Sequence, residues 1–446
     1  MGESEDLNLF KDIFPFNLPP RIVVDRSFKY LDQSIIGITD TTLRDGQQGW
    51  RNLSIDESLK IYEVLAEIGG QGSIISTELF LYTHKDREVA RKIKEYGYKY
   101  PKPIAWIRAT YEDLRLVFDV GLDETVILTS ISDYHIYYKL RVTRDRAVEK
   151  YLAVVEEALK RGVAVKCTLE DATRANVERN IIPFVNKLMR LSEKYGLPIK
   201  IKIADTLGVG LPFPYIPPPR GIPALIREII ERTGIKGEWV EFHGHNDLGL
   251  VVANHLAAWL YGAGMSNCTL FGIGERAGNC PLEVMLMHYV GIKGSTDDVN
   301  LKAIVKAANV IRSLGFRIPE FHPLIGENAF RTKAGIHIDG LLKNPEVYLP
   351  FNPLEVLGIP YTVAITPYSG RAAIALWINA HVKMSGNNRF KISKKDPRVK
   401  MIYNEVIRMF DHNGRKAALS DVEMLRLIKK YFPTLQFDIE EDIRSS

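Results

Sequence analysis

Cysteine is scarce in this chain. Three occur in 446 residues, Cys167, Cys268 and Cys280, with no CxxC pair. The odd count argues against a disulfide framework and fits a reducing, cytoplasmic setting. Charge of one sign is equally lacking: the formal net charge of +5 comes from 59 basic and 54 acidic residues that are well mixed. Nothing there calls for a nucleic-acid partner. Long hydrophobic runs are missing too. The most apolar stretch, residues 248–265, carries Asn254, His255 and glycines, which suits a buried helix and not a membrane span. The first twenty residues are acidic and Pro-bearing without an apolar core, so no signal peptide is expected. Neither a low-complexity tract nor a repeat is evident.

What the chain does have is regular alternation. From about Ile35 to Gly274, short apolar runs alternate with amphipathic helical stretches, the pattern of βα units. The runs are IIGITD, ISTELF, PIAWIRA, TVILTSIS, VAVKCTLE, IKIADT, WVEFHG and CTLFGIG. Eight is the number that closes a parallel (β/α)₈ TIM barrel of roughly 250 residues. Ser54-x-x-Glu57 reads as a capping box ahead of the first helix. An open doubly wound sheet would place a Gly-rich phosphate turn after strand one, where TTLRDGQQ stands instead. The expected division is an N-terminal extension (1–34), the barrel (35–290) and a mostly helical C-terminal region (291–446). Breaks in that last region fall at RIPEFHP, LPFNPLEVLGIP and MSGNNRFKISKKDP.

Barrel enzymes place their chemistry at the C-terminal ends of the strands. Here those ends carry Arg44, Asp45 and Gln48 after strand one, Asp133 and His135 after strand four, and Glu170 and Asp171 after strand five. Asp205 and Thr206 follow strand six, His243, His245 and Asp247 strand seven, and Glu275, Arg276 and Asn279 strand eight. So many ionisable groups at one mouth point to a solvent-accessible site or a bound ion. His243-x-His245 is the strongest element, because side chains two apart on a strand share a face. With Asp45 the pair becomes a His₂-carboxylate ligand field with open positions. Arg44 either pairs with a rim acid or sets a fixed positive charge where an oxyanion develops. Glu275 is a catalytic acid/base or the partner of Arg276, and Thr206 binds a substrate carboxylate or caps a helix. Cys280 reads as a small buried residue, not a nucleophile. The segment DHNGRKAALSDVE imitates a calcium loop without its regular acidic spacing.

The segments DTTLRDGQQ, SDYHIYYKL, LEDATR, ADTLG, HGHNDLGL, GIGERAGN and AGIHIDGLLKN resemble, in order, the isopropylmalate/homocitrate synthase branch of the DRE-TIM metallolyase superfamily. That resemblance implies a metal-dependent condensation of acetyl-CoA with a 2-oxo acid. Asp45, His243 and His245 would hold the divalent ion (Mn²⁺ or Mg²⁺ ahead of Co²⁺ or Zn²⁺), with Asn279 a nearby or additional ligand. Arg44 would meet the carbonyl and developing alkoxide, and Thr206 the carboxylate. Gln48, Arg108, His135 and Arg174 complete the substrate-binding candidates. His337 matches the family's catalytic histidine and Tyr361 a catalytic tyrosine. Both would act on the partner's site, which implies a homodimer. Within the branch, the segments SIISTELFLYTHKD, ILTSISDYHIYYKL and FKDIFPFNLPPRIVVD look most like Re-citrate synthases, which use oxaloacetate; homocitrate and 2-isopropylmalate synthases follow. A 3-hydroxy-3-methylglutaryl-CoA lyase is disfavoured, since Gly274-Glu275-Arg276 stands where those lyases resemble one another in a Gly-Gly-Cys-Pro loop. A non-catalytic barrel is disfavoured by the joint presence of all these polar groups.

Overall fold

The structure, a computed structural model, describes residues 7–382, 392–413, 415 and 417–437. Much of the break MSGNNRFKISKKDP, and part of the calcium-loop-like segment, lie outside the described residues. Eight parallel strands close a barrel in sequence order: β1 Gly37–Asp40, β2 Ile74–Leu79, β3 Lys102–Arg108, β4 Glu124–Ser130, β5 Ala164–Glu170, β6 Ile199–Asp205, β7 Val240–Gly244 and β8 Met265–Cys268. Closure runs from Gly37 opposite Met265 to Asp40 opposite Cys268. Each strand leads into a helix, beginning with Ile55–Gly69 and ending with Leu282–Lys293. The (β/α)₈ expectation therefore holds.

Local chemistry explains the helix starts. Ser54 accepts from Glu57 N–H while the Glu57 carboxylate accepts from Ser54 N–H, so the capping box forms. Thr83 and Asp86 repeat it ahead of His84–Glu95. The inner helix faces are apolar, as with Tyr151, Val155 and Leu159 of Arg144–Lys160. One strand departs from expectation. CTLFGIG is not the last strand: β8 is Met265–Cys268, and Leu270–Gly272 is a short 3₁₀ turn with Phe271 at φ 56°. Inside the strand stand Ser266 and Asn267, so the apolar run that follows marks the turn.

The chain divides into two compact units, 21–317 and 1–20 with 318–446. The barrel unit reaches past residue 290 because the helix Ala303–Ser313 packs on Ile55–Gly69. The second unit contains a short parallel pair, Arg331–Thr332 with Thr362–Val363, and helices that include Gly335–Lys343, Arg371–His381 and Asp421–Tyr431. Its core gathers Ile374, Trp377, Ile402, Val406 and Ile428. Among the described residues, no helix is long and apolar enough to cross a membrane.

The barrel interior is charged. Glu78 on β2, Lys166 on β5, Lys202 on β6 and Glu241 on β7 are all buried. Lys202 pairs with Glu78 and stands 3.2 Å from Glu241, which also takes Lys166 Nζ at 2.5 Å. Thr39 Oγ1 donates to Glu241 at 2.9 Å. Buried charges persist only when compensated in this way.

Candidate metal centre and active site

His243 lies on β7 and His245 directly follows it, two apart along extended backbone and so on one face, and Asp45 follows β1 in a tight helical turn. Their donor atoms converge. His243 Nε2 and His245 Nε2 lie 3.3 Å apart, and Asp45 Oδ2 is 3.7 and 3.8 Å from them. Neighbouring ligands about 2.1 Å from a six-coordinate ion would be about 3 Å apart, so the triangle needs little contraction.

The tautomers also fit a cation. Asn267 Nδ2 donates to Thr39 Oγ1 at 2.9 Å, which turns its carbonyl to His243 Nδ1, 2.9 Å away. That carbonyl can only accept, so His243 carries its proton on Nδ1 and offers the Nε2 lone pair. Burial pushes both imidazoles below their ordinary range and keeps them neutral. For Asp45, burial acts to raise the carboxyl pKa. The adjacent Arg44 guanidinium leads the groups that outweigh it, with the Asn279 amide also donating, and the carboxyl is held well below the usual carboxylate range. Two neutral imidazoles and a carboxylate around one point are the donor set of a divalent metal. Asn279 stands beside them: its Nδ2 donates to Asp45 Oδ2 at 2.7 Å, while its buried Oδ1 has no hydrogen-bond partner.

Arg44 is locked over this centre. Its guanidinium donates to Asp45 Oδ1 at 2.9 Å and to Glu78 Oε2 at 3.2 and 3.3 Å, and it lies 5.1 Å from the Trp106 ring centre. Glu78 also accepts from Thr41 Oγ1 at 3.0 Å and from Lys202. Burial pushes the Glu78 carboxyl up, but Lys202, Arg44 and Lys166 bring it down to about 2. Glu78, Lys202 and Asn267 were not foreseen as site residues. The signal was a charged or amide side chain in the middle of a strand, visible in ISTEL, IKIKIAD and MSNC.

The other candidates divide. Thr206 follows β6, and its hydroxyl oxygen accepts from Asp171 N–H at 2.8 Å, leaving its own proton free to donate. Glu275 is exposed, and the Arg276 guanidinium makes its two hydrogen bonds to a carboxylate with Asp247, at 2.8 and 3.0 Å. His135 stacks its charge options against Glu170 at 3.0 Å and Asp171 at 3.8 Å. Arg174 makes a two-pronged pair with Asp171, and Arg108 does the same with Asp113, so both have internal partners. Gln48 is exposed; its neighbour Gln47 is the one that braces the loop, donating to Leu43 O and accepting from Leu53 N–H. His337 and Tyr361 belong to the second unit. His337 is exposed on the helix Gly335–Lys343, 4.5 Å from the Tyr348 ring, and Tyr361 is half-buried.

Residues 35–311 match the HMGL-like family, and residues 324–413 match the homocitrate synthase post-HMGL domain-like family. The chain belongs to the HMGL-like family. This HMGL-like chain is 41% identical over 444 residues to the citrate (Re)-synthase of Clostridium kluyveri, covering 99% of this chain and 97% of that one. It is 35% identical over 433 residues to the 2-phosphinomethylmalate synthase of Streptomyces hygroscopicus, covering 95% and 96%. Among solved structures, the hydroxymethylglutaryl-CoA lyase of Pseudomonas aeruginosa aligns with a TM-score of 0.52 at 17% identity, over 65% of this chain and 96% of that one. That last likeness shows the HMGL-like barrel fold alone.

Proposed function

We propose that this protein is an acyltransferase that condenses acetyl-CoA with oxaloacetate and releases CoA and citrate. The observation that carries the reading is the near full-length 41% identity to a citrate (Re)-synthase, on a barrel whose mouth holds Asp45, His243 and His245 together. Those three residues would hold a divalent ion, Mn²⁺ or Mg²⁺ before Co²⁺ or Zn²⁺. When bound, the ion supplies Lewis-acid polarisation of the 2-oxo carbonyl.

The chain's own residues supply the rest. Arg44, pinned between Asp45 and Glu78, keeps a fixed positive charge beside the carbonyl oxygen and stabilises the alkoxide that develops there. The free Thr206 hydroxyl proton serves the substrate carboxylate. Glu275 or His337 removes the methyl proton of acetyl-CoA, the enolate carbon attacks the carbonyl carbon of oxaloacetate to give the alkoxide, with Tyr361 assisting, and water then cleaves the thioester to release CoA. His337 and Tyr361 are assigned to the site of a partner subunit in a homodimer, and the protein to the cytoplasm. For the second carboxylate of oxaloacetate, Arg108 and Arg174 are the candidate cations; each would have to share its present carboxylate partner. Asn279 is a nearby or additional ligand of the ion, and Gln48 and His135 are assigned to substrate binding.

The test is thiol release from acetyl-CoA with a panel of 2-oxo acids. Turnover highest with oxaloacetate supports the reading. Turnover with 2-oxoglutarate or 2-oxoisovalerate and none with oxaloacetate overturns the acceptor and leaves the reaction class standing.

A further inference from the structure

The barrel unit holds a second cluster of metal-ligating side chains that this chemistry does not use. His255 lies in the helix Val251–Leu260, Cys268 ends β8, and Cys280 closes the loop that carries Glu275 and Asn279. All three are buried, and a ring nitrogen and the two sulfurs lie within 4.8 Å of one another. Backbone pairing brings the sulfurs together: Thr269 N–H donates to Cys280 O at 3.0 Å, and Leu282 N–H to Thr269 O at 2.8 Å. The imidazole approaches edge-on to Phe242, at 4.8 Å between ring centres.

His255 is the observation that points to a ligand. Its Nδ1 is 2.7 Å from Ser266 Oγ, whereas its buried Nε2 has no hydrogen-bond partner. Ser266 Oγ is also 3.2 Å from Cys268 Sγ. The Cys268 thiol donates to Ser266 O at 3.7 Å; once that proton leaves, and with Nδ1–H donating to the serine, the serine's own proton is free for the Cys268 thiolate. The same arrangement leaves the Nε2 lone pair bare. An imidazole that donates from one ring nitrogen to a fixed oxygen and keeps an open lone pair on the other is prepared to bind a metal. Buried nitrogens otherwise find partners.

We propose that His255, Cys268 and Cys280 bind a zinc ion, separate from the Asp45–His243–His245 centre. Two thiols each lose a proton to solvent, two S–Zn bonds and one N–Zn bond form, and no redox change occurs. Two thiolates balance the 2+ charge, so the complex is neutral where burial is complete. Soft sulfur donors select zinc over the harder ions suited to the mouth. The ion ties the loop between Cys268 and Cys280 to the helix behind β7, and that loop is what carries Asn279 to Asp45.

Cobalt distinguishes the two sites. The full-length chain, stripped with a chelator and kept reduced without added thiol, is titrated with Co²⁺. Sulfur ligation gives a near-ultraviolet sulfur-to-cobalt charge-transfer band, which a centre of two histidines and an aspartate cannot produce. The expected result is that band in the wild-type chain, in Cys167→Ala and in His243→Ala, and its loss in the Cys268→Ser/Cys280→Ser double variant. Saturation of the wild-type chain without the band overturns the proposal, whether or not the double variant folds. So does a band that survives the double variant, or thiol counting that finds Cys268 and Cys280 joined as a disulfide in the isolated protein.

Discussion

The Arg44 guanidinium is held in place from inside the barrel. Arg44 is held by Glu78, and Glu78 by Lys202, all inside the barrel. Removing one member leaves the others as uncompensated buried charges, which costs about 3–5 kcal/mol. Lys202→Met is therefore expected to lower unfolding free energy by that amount in urea titrations, and a loss below about 1 kcal/mol would refute the network. Asn267 is the sharper probe. It fixes the His243 tautomer, so Asn267→Ala should weaken divalent-ion affinity about 10–100-fold in a competition titration while the fold persists. An unchanged affinity would mean that His243 finds its tautomer unaided. The convergence of Asp45, His243 and His245 was legible, because His-x-His on a strand carries its own geometry. Glu78 and Asn267 were not: a polar residue within a strand can face a salt bridge, a ligand or water, and only closure of the barrel decides which.

At the scale of elements, seven of the eight strands were legible as apolar runs and the eighth was misplaced. β8 reads Met-Ser-Asn-Cys because its side chains serve the interior hydrogen-bond network, and the stronger apolar run after it forms the turn. The strands that carry Glu78, Lys166, Lys202 and Glu241 keep enough apolar residues beside them to be read, whereas the four-residue β8 does not. The loop after β8 also presses on the loop after β1. A Cβ on Gly49 would lie 2.0 Å from Gly274 C and 2.2 Å from its oxygen, backbone atoms next to Glu275. Gly49→Ala must push that segment aside, and displacement by about 1 Å can cost about 10²-fold in rate. The expected outcome is a kcat loss of that order together with a stability loss of about 1–3 kcal/mol from the overpacking. Full activity would show that Glu275 does not need its present position. On the opposite side of the balance, Ser54→Ala should cost about 1 kcal/mol of stability and leave kcat alone, since it removes a cap and nothing at the mouth.

At the scale of the whole molecule, the buried histidines govern the response to acid. The imidazoles of His243, His245, His255 and His288 are all lowered from 6.5, chiefly by burial, with His255 down to about 3. In the unfolded chain each takes up a proton as pH falls through its ordinary value, while the folded chain does not. The unfolded state then binds more protons, and stability falls with pH. Asp40, raised to about 6 by burial, and Asp205, also raised, act in the opposite sense below their folded values. Glu78, held down to about 2, keeps its contribution until far lower pH. Four imidazoles outnumber the two raised carboxyls, and the His255 shift is larger than that of Asp40. The metal-free protein should therefore show a falling urea midpoint between about pH 7.5 and about pH 5. A divalent ion bound to His243 and His245 competes with their protons only in the folded state, so added Mn²⁺ should raise the midpoint at both ends of the range. A midpoint that stays level in the metal-free protein would mean that these imidazoles are reached by water, and the neutral ligand set at the barrel mouth would have to be given up.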